Sequence, residues 1–145
     1  MENLKFTGHI NMKCYDADGK LAWEVDKPNL VVTAGKNALA LWLTTSQSGG
    51  FMPYIGLGTG ATAAASGDTA LQTELATRVA GSLSSSTNVW TNTAVFGAGV
   101  NTGTLTEAGL FSASSGGTMF ARQTFTAVAK SASQSITFTW QVTIS

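Results

Sequence analysis

Tyr54-Ile-Gly-Leu-Gly-Thr-Gly60 reads as a short apolar strand that ends on three alternate glycines. Ala61 to Gly67 follows with almost no side chain to bury, and then come Asp68, Leu71, Glu74 and Arg78. A glycine-ended strand invites comparison with a phosphate loop. Such a loop needs Lys-Ser or Lys-Thr at its end to reach phosphates and metal, and Ala61 and Thr62 stand there instead. A dinucleotide site needs a βαβ unit with an acid about twenty residues on, and the β-rich surroundings offer none. The glycines therefore read as a strand end under tight backbone packing. Asp68 can cap one or two helical turns, in which Glu74 would precede Arg78 by four residues, a favourable order. The alternative is a chain already extended by Thr77, with Arg78 opening a strand.

Outward from this stretch the dominant period is two. Leu4, Phe6, Ile10, Met12 and Cys14 alternate with polar residues, as a half-buried strand requires. Asp16-Ala-Asp-Gly19 is turn chemistry, and Leu21, Trp23 and Val25 resume the alternation. Folding about that turn pairs Cys14 with Leu21, Met12 with Trp23 and Ile10 with Val25, and sets His9 near Asp26. Pro28 is expected to stop this hairpin. Leu30 to Val32 is a short strand or connector. Thr33 is placed to cap a helix over about 34–44, where Ala38 and Trp42, with Leu39 and Leu43, form i,i+4 rows.

Met52 to Leu57 is read as a buried strand, Gly81 to Thr87 as a polar loop, and Val89 to Ala98 as another strand. Thr104–Phe111 and Thr118–Phe125 flank a hairpin loop, Ser112 to Gly117. Folding about its centre pairs Gly109 with Phe120 and Glu107 with Arg122, an aromatic over a glycine and opposite charges face to face. Ile136, Phe138, Trp140, Val142 and Ile144 alternate with threonines and a glutamine, the clearest strand in the chain. Many short strands and one modest helix predict an all-β domain, a β-sandwich or jelly roll. No fixed-period repeat or heptad run suggests a propeller, solenoid or coiled coil.

The chain has 145 residues, enough for one domain with a sizeable core and no disulfide or metal staple. Only 11% of residues are charged, against a usual share of about 25%, and the formal net charge is zero. A nucleic-acid binder needs a basic field, so that class is not expected. The N-terminus lacks the apolar core of a signal peptide, and the longest apolar run, Ala38 to Leu43, is far short of the ~20 residues that span a bilayer. A soluble protein made in a cytoplasm is the expectation. Most of the charge lies between Glu2 and Lys36, so residues 1–29 read as a charged hairpin. Lys13, Lys20, Glu24 and Asp26 are its candidate interface residues, and 30–145 forms the sandwich body. The hairpin is either a contact arm or two more strands of the sandwich.

Candidate chemistry is sparse. His9, the one histidine, and Cys14, the one cysteine, point to opposite faces by strand parity and cannot form a nucleophile–base couple. Asp16, Asp18 and Gly19 echo a calcium loop, but its twelfth position is Lys27 rather than an acid. Glu74 and Glu107 could be a glycosidase pair, yet Arg78 and Arg122 stand at structural spacing from them. Structural ion pairs, Glu107 with Arg122 and Glu74 with Arg78, account for all four. Trp23, Trp42, Trp90 and Trp140 fall on apolar rows and read as core. Trp90, between Asn88 and Asn92, is also a candidate sugar-stacking platform.

These residues carry a resemblance. Ile55-Gly-Leu-Gly-Thr-Gly60, Asp68-x-x-Leu71-x-x-Glu74-x-x-x-Arg78, Glu107-Ala-Gly-Leu-Phe111, Phe120-Ala-Arg122 and the alternating C-terminal strand together resemble a family of small virion proteins of tailed bacteriophages. The likeness covers roughly Ala34 to Ile144. Members include head decoration (cement) proteins with a jelly-roll fold, and tail or fibre components. The resemblance implies no enzymatic activity, no cofactor and no catalytic residue; with the charge and residue patterns above, no metal, nucleic acid, membrane or small-molecule substrate is expected. It implies a homo-oligomer, a dimer or trimer, on the exterior of the capsid, with the major capsid protein and neighbouring copies as partners. A tail, collar or baseplate component is the alternative within the same source. A carbohydrate-binding jelly roll for host attachment is the alternative from another class.

Overall fold

The computed structural model describes residues 4–43 and 51–145. In chain order these form β1 (Phe6–Tyr15), β2 (Leu21–Val31), α1 (Thr33–Trp42), β3 (Tyr54–Gly58), β4 (Val79–Ala80), β5 (Ser82–Ser86), β6 (Val89–Phe96), β7 (Gly103–Phe111), β8 (Met119–Lys130) and β9 (Ser135–Ile144). The strands make one antiparallel sheet in the order β4-β3-β7-β8-β2-β1-β9-β6-β5. The expected all-β class with one short helix is what the chain adopts.

The sheet curls over on itself at two places. The first is β2, which pairs with β1 through Asn29 and then, by Leu30 and Val31 alone, with β8. Below that seam β2 and β8 diverge, and side chains replace the missing ladder. Trp23 Nε1 donates to the Ala129 carbonyl at 2.7 Å, and Lys27 Nζ to the Thr124 carbonyl at 2.9 Å. The second place is Gly81. The two edge strands, β4 and β5, are consecutive in the chain with only this glycine between them. Its N–H donates to Pro53 O, and a Cβ there would collide with Asn92 Oδ1. The result is a nearly closed sandwich. Ile10, Met12, Cys14, Phe96, Phe138 and Trp140 from one half pack with Ile55, Leu57, Leu105 and Phe120 from the other.

Several local expectations are corrected. The first hairpin forms, but Cys14 faces Trp23, Met12 faces Val25 and Ile10 faces Lys27. The turn is wider than expected: Asp16 N–H bonds Lys20 O, Gly19 takes φ 85°, and the register shifts between Cys14 and Tyr15. A slip of two preserves the faces, because the side-chain period is two. Pro28 does not stop β2. It lies where β2 pairs on one side only, a position where a missing N–H is tolerated. Thr33 is not the cap of α1. Val32 holds that place without a side-chain bond, and the Thr33 N–H is met by the Ser66 carbonyl at 2.9 Å. Gly81–Thr87 is not all loop, since Ser82–Ser86 pairs with β6 through a tight turn with Thr87 at φ 50°. Asp68 to Arg78 contains no helix; Glu74 makes an isolated bridge with Gly58 and the chain is extended at β4.

Of the two readings of the first hairpin, its strands belong to the sheet. β1 lies between β2 and β9 near the centre of the sheet, and its Ile10, Met12 and Cys14 are fully buried. The hairpin is core, with one polar face to solvent.

Lys130, at the end of β8, is 2% exposed, and its Nζ donates to the Gly97 carbonyl at 2.9 Å. Burial pulls its pKa below the ordinary lysine value, with the nearby Cys14 working the other way. The folded state therefore sheds this proton at lower pH than the unfolded chain does. Over the window from the depressed value up to the ordinary one, the unfolded state binds more protons, so stability rises with pH. Lys130→Met removes the buried charge, while the Gly97 carbonyl keeps the Val100 N–H at 3.2 Å, and is expected to stabilise by roughly 1 kcal/mol at neutral pH. Urea melts at pH 7 and pH 10 check this: the variant should be ahead at pH 7 and the gap should narrow at pH 10.

Candidate functional site

The acids and arginines singled out in the sequence converge on the outer face of β3, β7 and β8. The chain from Thr59 to Arg78 crosses this face as a strap. Its first part carries alanines, threonines and glycines, so apolar burial alone holds it weakly. Charge and backbone bonds hold it instead.

Glu107, on β7, is wholly buried. Its carboxylate accepts from Thr73 N–H at 2.8 Å, Gly60 N–H at 3.0 Å and Gln72 N–H at 3.1 Å, all on the strap. Arg122, on β8 and 1% exposed, donates to it through Nε at 3.0 Å, and Nη2 lies 2.9 Å from the same oxygen. The same guanidinium donates to Asp68 Oδ2 at 2.8 Å and to the Thr62 carbonyl at 2.9 Å. Glu107 and Arg122 are not directly opposite. The register sets Glu107 against Thr124 and Arg122 against Gly109, with shifts along the β7–β8 pair, and the two side chains meet diagonally on one face.

Burial pushes the Glu107 carboxyl up. The N–H groups of Thr73 and Gln72, the Arg122 guanidinium and the Gly60 N–H outweigh it, and the net pKa is below the usual carboxylate value. At Asp68 burial likewise raises, while the Ala65 N–H and Arg122 lower, again with a net depression. Depressed acids contribute stability that is full above their unfolded pKa, about 4, and is lost as pH falls through the folded values. The urea midpoint is expected to hold from pH 7 to about 5 and to fall below about 4. Glu107→Gln should start lower and show a shallower fall; a parallel fall in both proteins would remove Glu107 from the acid response.

Glu74 and Arg78 form a second pair without a helix. Arg78 Nη2 donates to Glu74 Oε2 at 3.0 Å, and Nη1 reaches the carbonyls of Ala113 and Gly116 at 2.9 and 2.7 Å. Its guanidinium lies 3.6 Å over the Phe111 ring, a cation–π geometry. Beneath that ring Gly56 and Gly109 face each other across β3 and β7. A Cβ on either would stand 3.0 or 2.8 Å from the ring. The expected aromatic over Gly109 is thus Phe111 from the same strand, not Phe120. At Gly58 and Gly60 a Cβ would press on Glu107 Oε1 at 2.5 and 2.6 Å. The three alternate glycines make room for the strap and its carboxylate.

Chemically this arrangement ties chain to chain. Both oxygens of Glu107 are engaged by four N–H hydrogen bonds, and each acid in the cluster has its cation. Among the described residues no group of three or more His, Cys, Asp or Glu is placed to hold a metal, and no helix is long and apolar enough to cross a membrane. Asp68 as a partner of Arg122 was not foreseen. The available signal was scarcity, since beyond Lys36 the chain has only three acids and three cations.

The other candidates lie elsewhere. Lys13, Glu24 and Asp26 share the outer face of β1 and β2, where Lys13 faces Glu24 and Asn11 faces Asp26. Asn11 Nδ2 donates to Glu24 at 2.7 Å and to Asp26 at 3.1 Å, and His9 bonds Asp26. Lys20 is in the exposed turn, 4.0 Å from Asp18. Outward threonines of β6 and β9, with Gln141, continue this face as a broad uncharged surface. Trp90 is half-buried beside Phe51, and its flanking amides are engaged: Asn88 with the Ile144 carbonyl, Asn92 with the Met52 carbonyl.

No protein family, curated protein or solved structure matches this chain.

Proposed function

We propose that this chain is a structural protein of a tailed-bacteriophage virion, a capsid decoration (cement) protein made in the host cytoplasm and seated on the outer shell, where it braces adjoining capsomers. The observation that carries the reading is the convergence of the resembling motifs. Residues 55–60, Asp68, Leu71, Glu74, Arg78, 107–111 and 120–122 occupy one contiguous unit, the strap and its clasp. Motifs that are each weak alone support a common origin better when they build one piece of structure. Their role is to shape the fold, so the shell contact falls elsewhere. The outer face of β2, β1, β9 and β6 suits it, being broad, short-chained and nearly uncharged apart from Lys13, Glu24 and Asp26. Partners are the major capsid protein and neighbouring copies, in a dimer or trimer, with weak contacts multiplied by the symmetry of the shell.

Mass measurement of intact particles carrying the protein tests the reading. Hundreds of copies per particle fit decoration. A few dozen or fewer would replace it with a tail, collar or baseplate role, and absence from the purified particle would overturn it.

A further inference from the structure

We propose that the free edge of β5 and the apolar pocket beside it form one docking site for an extended, uncharged segment of another polypeptide, which adds to the sheet as a further strand and seats one bulky apolar side chain in the pocket. This does not depend on the virion reading.

Two independent observations meet there. The first is the edge. β5 ends the strand order, pairs with β6 alone, and among the described residues no backbone group is paired with its other side. Alternate residues of such a strand direct N–H and C=O outward and offer a template for another chain. Edge strands are ordinarily blunted by charge, proline, a bulge or extreme shortness. Ser82-Leu-Ser-Ser-Ser86 has no charge and no proline, and its five-residue register with β6 is unbroken. The opposite edge, β4, is only two residues long.

The second is the pocket. A cavity of about 430 Å³ opens between α1 and the end of the sheet, lined by Trp42, Phe51, Leu83, Trp90, Phe120 and Ile144 among others. Among the described residues its lining is otherwise aliphatic and aromatic, with Ser84 and Ser85, which belong to β5 itself. Edge and pocket are therefore one place. In strand addition the main chain supplies affinity and a pocket for alternate side chains supplies specificity, and an aromatic or large aliphatic anchor is what such pockets take. Among the described residues the lining carries no charged side chain, which favours an uncharged insert. A second copy pairing through its own β5 would bring one leucine and otherwise serines, and would leave much of the cavity unfilled.

The test uses the whole protein and a capped synthetic heptapeptide in which threonine alternates with valine around a central phenylalanine. Saturable change in tryptophan fluorescence, with new amide-exchange protection at Ser82 to Ser86, is expected. The same peptide N-methylated at alternate residues keeps its side chains and loses its donors. It should bind at least about tenfold more weakly, since lost main-chain bonds are each worth a several-fold change in Kd. A peptide with alanine for phenylalanine should weaken by a similar factor. No saturable binding up to millimolar peptide would overturn the proposal. So would equal binding of the N-methylated peptide, or protection of Ser82 to Ser86 by self-association without any peptide.

Discussion

Replacing Glu107 with alanine is expected to lower stability by about 3–5 kcal/mol, a large share of the total for a domain of this size. The loss has two parts. Arg122 remains buried without its carboxylate, keeping only Asp68 and the Thr62 carbonyl. The N–H groups of Gly60, Gln72 and Thr73 lose their common acceptor. Glu107→Gln keeps the volume but sets an amide NH₂ among donors, so it should recover little. Glu107→Leu with Arg122→Met removes both charges and restores packing, which in other buried pairs is neutral or better. Here it should recover only part of the loss, because three backbone donors stay unpaired. Urea denaturation of the unaltered protein, Glu107→Leu, Arg122→Met and the double variant measures this. A double-variant loss equal to the sum of the two single losses would mean that the two side chains do not act as a unit.

Much of the fold was legible because one-faced burial writes itself as alternation. β1, β6 and β9 each bury every second residue on the core side, and each is readable from period two alone. The faces of the first hairpin were right although its register was off by two, because parity survives a slip of two and turn geometry does not announce its width. β5 left no alternation to read: serine dominates it, and only pairing with β6 makes it a strand. Pro28 misled for the opposite reason, since a local breaker matters only where a backbone donor is needed.

The clasp was legible in part. Glu107, Arg122, Glu74 and Arg78 stood out as charges in an uncharged half, and the pairs they form are those their spacing suggested. Local reasoning left the conformation between them open, a turn or two of helix or a chain extended by Thr77, and the extended form holds. A four-residue spacing fits a helix, but here Arg78 folds back to Glu74 across an extended strap, fixed by Phe111 and by the carbonyls of Ala113 and Gly116. Those partners lie more than thirty residues away in sequence. The β2–β8 seam escaped notice for the same reason, since Lys27 and Trp23 act on carbonyls about a hundred residues distant.

Removing residues through Asn29 is expected to abolish folding altogether. The deletion takes β1 and most of β2 out of the middle of the sheet, so β9 loses one neighbour along its whole length and β8 keeps only a two-residue stub. It also removes Ile10, Met12 and Cys14, all fully buried. Truncating one large core side chain to alanine costs about 2–5 kcal/mol, and the whole domain has about 5–15 kcal/mol to lose. Losing two such side chains and the buried cysteine together with their strand exceeds that reserve. Circular dichroism on heating and size-exclusion chromatography read the result: no cooperative transition, and aggregated or expanded protein. Met12→Ala gives the graded version, a loss of about 2–5 kcal/mol in a protein that still folds. A truncated protein that melts cooperatively within a few degrees of the full chain would restore the hairpin as an appendage and remove β1 from the core.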